Sequence, residues 1–225
     1  MKRTLFRAVQ VAIVSLACVA GSNAQDTTKA MPSAEREAAQ LGLRDLLSLV
    51  NEQNASLLGF RSIDEAKGAS LGAPIARRVL GYDRLLASQP GAPISSLYVP
   101  PEQRVYPVQA GGTIRCVILM SQRDGRWVVS SIGDAYLGEA LRDALPAQPP
   151  GSTPMLVSIP GLNIDLVGFE RGTALTLLPV RDYPEARLTR MTAVESNVFV
   201  PAIVAYARDF EQRYGALIRQ RRLTN

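Results

Sequence analysis

Cys116, Trp127 and a scatter of carboxylates are the side chains with chemical potential in this chain of 225 residues, which contains no histidine. Without an imidazole, Ser-His-Asp and Cys-His nucleophilic catalysis are excluded, as are HExxH zinc sites and haem held by a proximal histidine. Two cysteines, Cys18 and Cys116, are too few for a thiolate zinc or iron–sulfur site. Neither GxxxxGK[ST] nor GxGxxG occurs. Gly111-Gly112 falls between two strand-like runs, where it cannot cradle a phosphate at a helix start. Lys67-Gly68-Ala69-Ser70 carries the SxxK residues in reversed order and without a KTG partner. No DxDxDG run offers a calcium loop.

Two carboxylates alone suffice for glycoside hydrolysis. Asp64, Glu65, Asp134, Glu139, Asp165 and Glu170 are available, but their spacing marks no pair, and a 6% aromatic content is low for a sugar-lined cleft. A nucleophilic thiol needs partial exposure and a neighbouring base or cation. Arg115 precedes Cys116 on a strand and so points to the other face, leaving Cys116 as a small buried hydrophobe. Trp127, the sole tryptophan, reads as core or core rim in preference to a ligand platform. No catalytic, cofactor-binding or metal-ligating residue is therefore nominated, and no cofactor is expected.

The elements that would position these residues follow from periodicity and turn chemistry. Three strands are expected at about 103–109, 113–122 and 126–132. Gly111-Gly112 and Asp124-Gly125 serve as two-residue hairpin loops, because Asn/Asp-Gly and Gly-Gly supply the positive φ of a type I′ turn. That loop length sets Arg123 opposite Arg126, Gln122 opposite Trp127 and Met120 opposite Val129. Cys116, Ile118, Met120, Trp127 and Val129 then share one face, and Val117, Leu119, Val128 and Ile132 the other. Both faces are apolar, so helices must cover the meander. Pro107 cannot donate to a ladder, which places its strand at an edge or beside a bulge.

Ser33 caps a helix whose stripe is Ala39, Leu43, Leu46, Leu47 and Val50, with Gly42 as an interruption. A short helix is read at 63–70, a strand at 75–80 and a helical turn at 82–87, with 88–96 as loop. Asp134 caps a helix stopped by Pro146. Strands follow at about 155–159, 162–168 and 173–180, then a polar loop at 181–197. A long amphipathic C-terminal helix tolerates Pro201 only in its first turn. "APIARRVLGYDRLL" faintly echoes "TPMLVSIPGLNIDLV", and chance likeness of apolar strands is the more economical explanation.

The fold class expected is α+β: an antiparallel β-meander (about 103–132) covered by helices, a second β segment (about 155–180) and a long C-terminal helix. The organisation read is a signal peptide at 1–24, a polar tether at 25–33, a helix-plus-meander unit at 34–145, a linker at 146–154, and a β segment plus helix at 155–225. The two units are expected to pack as one body.

The signal reading rests on basic Lys2, Arg3 and Arg7, the apolar run 11–20, and small residues before a cleavage between Ala24 and Gln25. An uncleaved anchor and a lipoprotein attached through Cys18 are the alternatives. Cleavage leaves 22 basic against 20 acidic residues, so the net charge of +5 falls to +2. The basic residues are scattered, which argues against nucleic acid as partner, and no membrane span is expected after cleavage. The resulting expectation is an exported, noncatalytic protein of a bacterial envelope or periplasm that binds a protein or envelope component, with the Pro107 strand or the second β segment as a sheet-edge surface. The alternatives are a periplasmic hydrolase using carboxylates only and a small-ligand carrier.

Overall fold

The computed structural model describes residues 33–223; the signal peptide expected at 1–24, the Cys18 alternative and nearly all of the expected tether at 25–33 lie outside the described residues. The chain runs α1 (Ala34–Leu49), α2 (Ile63–Lys67), β1 (Ser70–Leu71), β2 (Ile75–Leu80), α3 (Tyr82–Ala87), β3 (Tyr98–Ala110), β4 (Thr113–Arg123), β5 (Arg126–Ile132), α4 (Ala135–Ala144), β6 (Thr153–Ile159), β7 (Ile164–Arg171), β8 (Ala174–Pro179), β9 (Val194–Glu195) and α5 (Ser196–Leu223). It is a mixed α+β fold built on a large, mostly antiparallel sheet.

The tight turns form for the reason their residues suggest. Gly111, Gly112, Asp124 and Gly125 all adopt positive φ, between 51° and 73°, and register follows from them. Arg123 pairs with Arg126, Gln122 with Trp127 and Met120 with Val129. Beyond that the ladder slips. The register shifts between Leu119 and Met120, leaving Ser130 as an extra residue and bringing Ile132 opposite Ile118. A bulge reverses the alternation, so Ile132 joins the Cys116 face, a correction to the strict alternation read from sequence. Pro107 also departs from an edge position. β3 is interior, paired with β4 on one side and with β1 and β2 on the other. Proline is accommodated because Pro107 faces the gap between β1 and β2 and adjoins the bulge at Val108/Gln109. The Pro107 strand is therefore no free edge.

Helices cover both faces of this meander. On one side, α1 is capped by the Ser33 hydroxyl, which accepts from the Arg36 N–H. It buries Ala39, Leu43 and Leu46 against Tyr106, Val108, Cys116, Ile118 and Met120. Gly42 does not break the helix; it brings α1 close, since a Cβ there would lie 2.8 Å from Val129 Cγ2. On the other side, Asp134 caps α4 by accepting from the Leu137 N–H at 2.9 Å. Leu137, Ala140, Leu141 and Ala144 then pack with Val105, Val117 and Leu119. Gly138 sits so close to β4 that a Cβ would meet the Cys116 Cα at 2.6 Å.

The two β segments form one sheet of nine strands, ordered β5-β4-β3-β2-β6-β7-β8-β9, with β1 added beside β3. The join is the parallel pair β2–β6, with Ala76 opposite Met155 and Val79 opposite Ser158. Each half is thus a four-stranded meander followed by a helix: β2–β5 with α4, then β6–β9 with α5. The faint echo falls on β2 and β6, the equivalent first strands of the two halves. The halves differ where those strands turn back. Residues 160–163 suffice between β6 and β7, whereas 81–97, carrying α3, separate β2 from β3. α5 starts at Ser196, so Pro201 is its sixth residue and lies inside the helix, beyond the first turn expected for it. Pro201 has no N–H to offer the carbonyl of Asn197, and one rung of the helix ladder is missing there.

In an exposed helix Gly→Ala gains about 1 kcal/mol. At Gly138 the contact with backbone reverses the sign, and Gly138→Ala is expected to destabilise by about 1–3 kcal/mol. Urea denaturation measures this; a stabilised variant would show that α4 does not press on β4 as described.

Candidate functional site

The residues singled out for chemistry are dispersed by the fold. Cys116 is fully buried, and burial, with the Asp134 charge adding to it, pushes its thiol up to about 12. At neutral pH it holds almost no thiolate. Arg115 is the extra residue of the β4 bulge, so the strict alternation expected to turn it away from Cys116 does not hold there; its guanidinium is held by the Glu65 carboxylate. Trp127 is half-buried at the rim of the α1 core, and the Arg104 guanidinium lies over its ring at 5.8 Å. One face of the indole is therefore already occupied.

The six carboxylates do not converge, and five of them have local partners. Asp64 pairs with Lys67 at 2.7 Å on the surface. Glu65 accepts from the Arg61 N–H just before the helix, and the hydroxyl of the N-cap residue Ser62 accepts from the Glu65 N–H. The Arg61 hydrogen bond is the main influence holding the Glu65 carboxyl below its ordinary value, with Arg115 adding to it against burial. Asp134 caps α4, Glu139 lies beside Arg142 and Arg190, and Glu170 is exposed on β7. Asp165 accepts from the Ser158 hydroxyl at 2.5 Å, while Arg77 Nε donates to the same Ser158 oxygen at 2.9 Å. A Ser–Asp pair has the elements of a nucleophile and a base, but Ser158 is 1% exposed and lines none of the clefts described below. Among the described residues no three of His, Cys, Asp and Glu are grouped to hold a metal ion.

A second polar group lies on the α1 side. The Tyr106 hydroxyl donates to Glu35 at 2.9 Å, and Arg104 bridges Glu35 and Glu102. Burial, and the hydrogen bond to Glu35, push the Tyr106 hydroxyl up to about 12. Each charge here has an opposite within reach, so the group pins α1 to β3 and presents little unspent charge.

What the fold does build is a cleft of about 460 Å³ between the 88–94 loop and α5. Its helix wall uses positions 196–197, 200–201, 204–205 and 208, one stripe repeating every turn. The opposite wall comes from the 81–97 segment, the part of the first half with no counterpart in the second. Two side chains, Tyr82 and Arg208, seat that segment on α5. The Tyr82 hydroxyl lies 3.1 Å from Glu211 Oε2, and Arg208 donates to the carbonyls of Ser88 and Leu86 at 2.6 and 3.4 Å. The lining is Pro90, Pro93, Ile94, Val200, Pro201 and Val204 at its apolar centre, with Ser196, Asn197 and Gln89 as neutral polar groups and no acid. No sequence signal announced it. The loop is ordinary turn composition, and the stripe on α5 differs from a core stripe in leaving Asn197, Pro201, Ala205 and Arg208 exposed. Comparison with protein-family models, with curated proteins and with solved structures returns no match.

Two outcomes are expected. Native protein should leave Cys116 unmodified by a mild alkylating reagent at neutral pH over minutes, read by peptide mass mapping; labelling within seconds would mean that the α1–β4 packing is wrong. A lowered Glu65 carboxyl contributes stability above its ordinary value of 4.5 and loses it as pH falls through the folded value. Glu65→Gln should therefore unfold at lower urea than native protein at pH 7, with the gap narrowing at pH 3; a gap independent of pH would remove this account.

Proposed function

We propose that the protein is an exported, noncatalytic component of a bacterial envelope, and that it binds an envelope component through the cleft between the 88–94 loop and α5. The observation that carries the reading is the cleft itself. Its volume falls within the range of about 300–1,000 Å³ of small-ligand sites, it is mainly apolar, and its lining contains no acid, so it supplies no proton donor for hydrolysis. The dispersal of the carboxylates supports a binding role over the carboxylate-only hydrolase. The position of the cleft supports it further. Function on a symmetric scaffold resides in what is added to it, and the 81–97 segment is the addition. Export rests on the basic and apolar pattern of residues 1–24.

The test places a photo-crosslinking amino acid at the exposed Ala205 and, as a control, at exposed Gln212, in full-length chain expressed in a bacterium. The expected outcome is an envelope-fraction adduct at 205 that is absent at 212. Equal labelling at both positions, or protein retained in the cytoplasm, would overturn the proposal.

A further inference from the structure

The walls of the cleft narrow the class of ligand, on the reading that the cleft is the binding site. Its long dimension follows α5 from 196 to 208, which at 1.5 Å per residue is about 18 Å. A volume of about 460 Å³ spread over that length describes a narrow trough. Its apolar lining side chains are aliphatic or proline, with no aromatic ring among them. Protein interfaces concentrate binding energy in Tyr, Trp and Arg anchors, and flat aromatic ligands favour stacking on aromatic rings; the trough offers no aromatic side chain for either. An unbranched aliphatic chain requires neither and fits an aliphatic trough by shape alone.

The charge is one-sided. Arg208 is the single charged side chain in the lining. Its hydrogen bonds go to the carbonyls of Leu86 and Ser88, which are neutral, and among the described residues it forms no ion pair. Its positive charge, without a direct ion-pair partner, therefore lies at one end of an apolar trough, an arrangement that favours an anion over a cation there. We infer that the cleft holds a single acyl chain whose anionic carboxylate lies at the Arg208 end. The 81–97 segment supplies the wall that closes over the chain, and Arg208 both positions that wall and selects the head group.

Calorimetric titration of the purified protein with dodecanoate and with dodecyltrimethylammonium, both below their micelle concentrations, tests this. One dodecanoate should bind per chain, with the ammonium amphiphile at least about tenfold weaker. Ala205→Trp, which fills the trough from an exposed position, should remove dodecanoate binding. Arg208→Gln should erase the preference between head groups; if that variant fails to fold, the head-group comparison on the native protein still decides. Equal affinity for the two head groups, no dodecanoate binding, or binding unaffected by Ala205→Trp would overturn the inference. A protein captured specifically through position 205 together with no dodecanoate binding would overturn it and leave the binding role standing, whereas failure of both measurements would remove both.

Discussion

The parallel contact between β2 and β6 is the constraint on which the rest of the molecule depends. It is the seam between two antiparallel meanders, and a parallel pair gains less per residue than an antiparallel one. The seam is also short, four residue pairs from Ala76–Met155 to Val79–Ser158. A polar cross-tie fixes its register: Arg77 on β2 donates to Ser158 on β6 and to Gln103 on β3, and Ser158 donates to Asp165 on β7. Four strands are tied by one guanidinium. Burial lowers the pKa of Arg77, with Asp165 and Asp134 opposing that trend, so the tie costs desolvation. What it gives in return is register, since a slip of one residue would leave a buried cation without partners.

That seam also explains the position of the cleft. Because β2 begins the first half and β6 the second, the turn after β2 lies next to the territory of the second half. The 81–97 segment crosses to α5, where Tyr82 and Arg208 hold it. The equivalent turn after β6 closes in four residues, with Gly161 packed closely against the Tyr82 ring. One half therefore carries an appendage, the other half provides the surface it leans on, and the trough forms between them.

The local parts of this architecture were legible in the residues, and the long-range parts were not. Asp124-Gly125 dictates its hairpin and the pairing of Met120 with Val129, because a two-residue turn leaves no freedom of register. Ser33 and Asp134 cap their helices as their side chains permit. The bulge at Ser130 has no signature, since serine suits a strand as well as a bulge. Pro107 looked like an edge residue because the gap between β1 and β2 that excuses it is created by residues some 35 positions earlier. The union of the two segments depends on β2 meeting β6 across nearly 80 residues, a pairing that hydrophobic pattern allows but does not specify. The cleft was invisible for a related reason: Pro90, Pro93, Val200 and Val204 become a site only through the tertiary placement of a loop against a helix.

The ends of the sheet carry a consequence for life at high concentration. An open nine-stranded sheet has two free borders, each a template for another chain's backbone. Here one border is β9, a stub of two residues, and the other is β5, distorted by its Ser130 bulge and flanked by Arg123 and Arg126 at its hairpin. Neither offers the long, flat, uncharged rail that fibre growth requires. Both borders of the extended pleated core are therefore poor templates for a second chain.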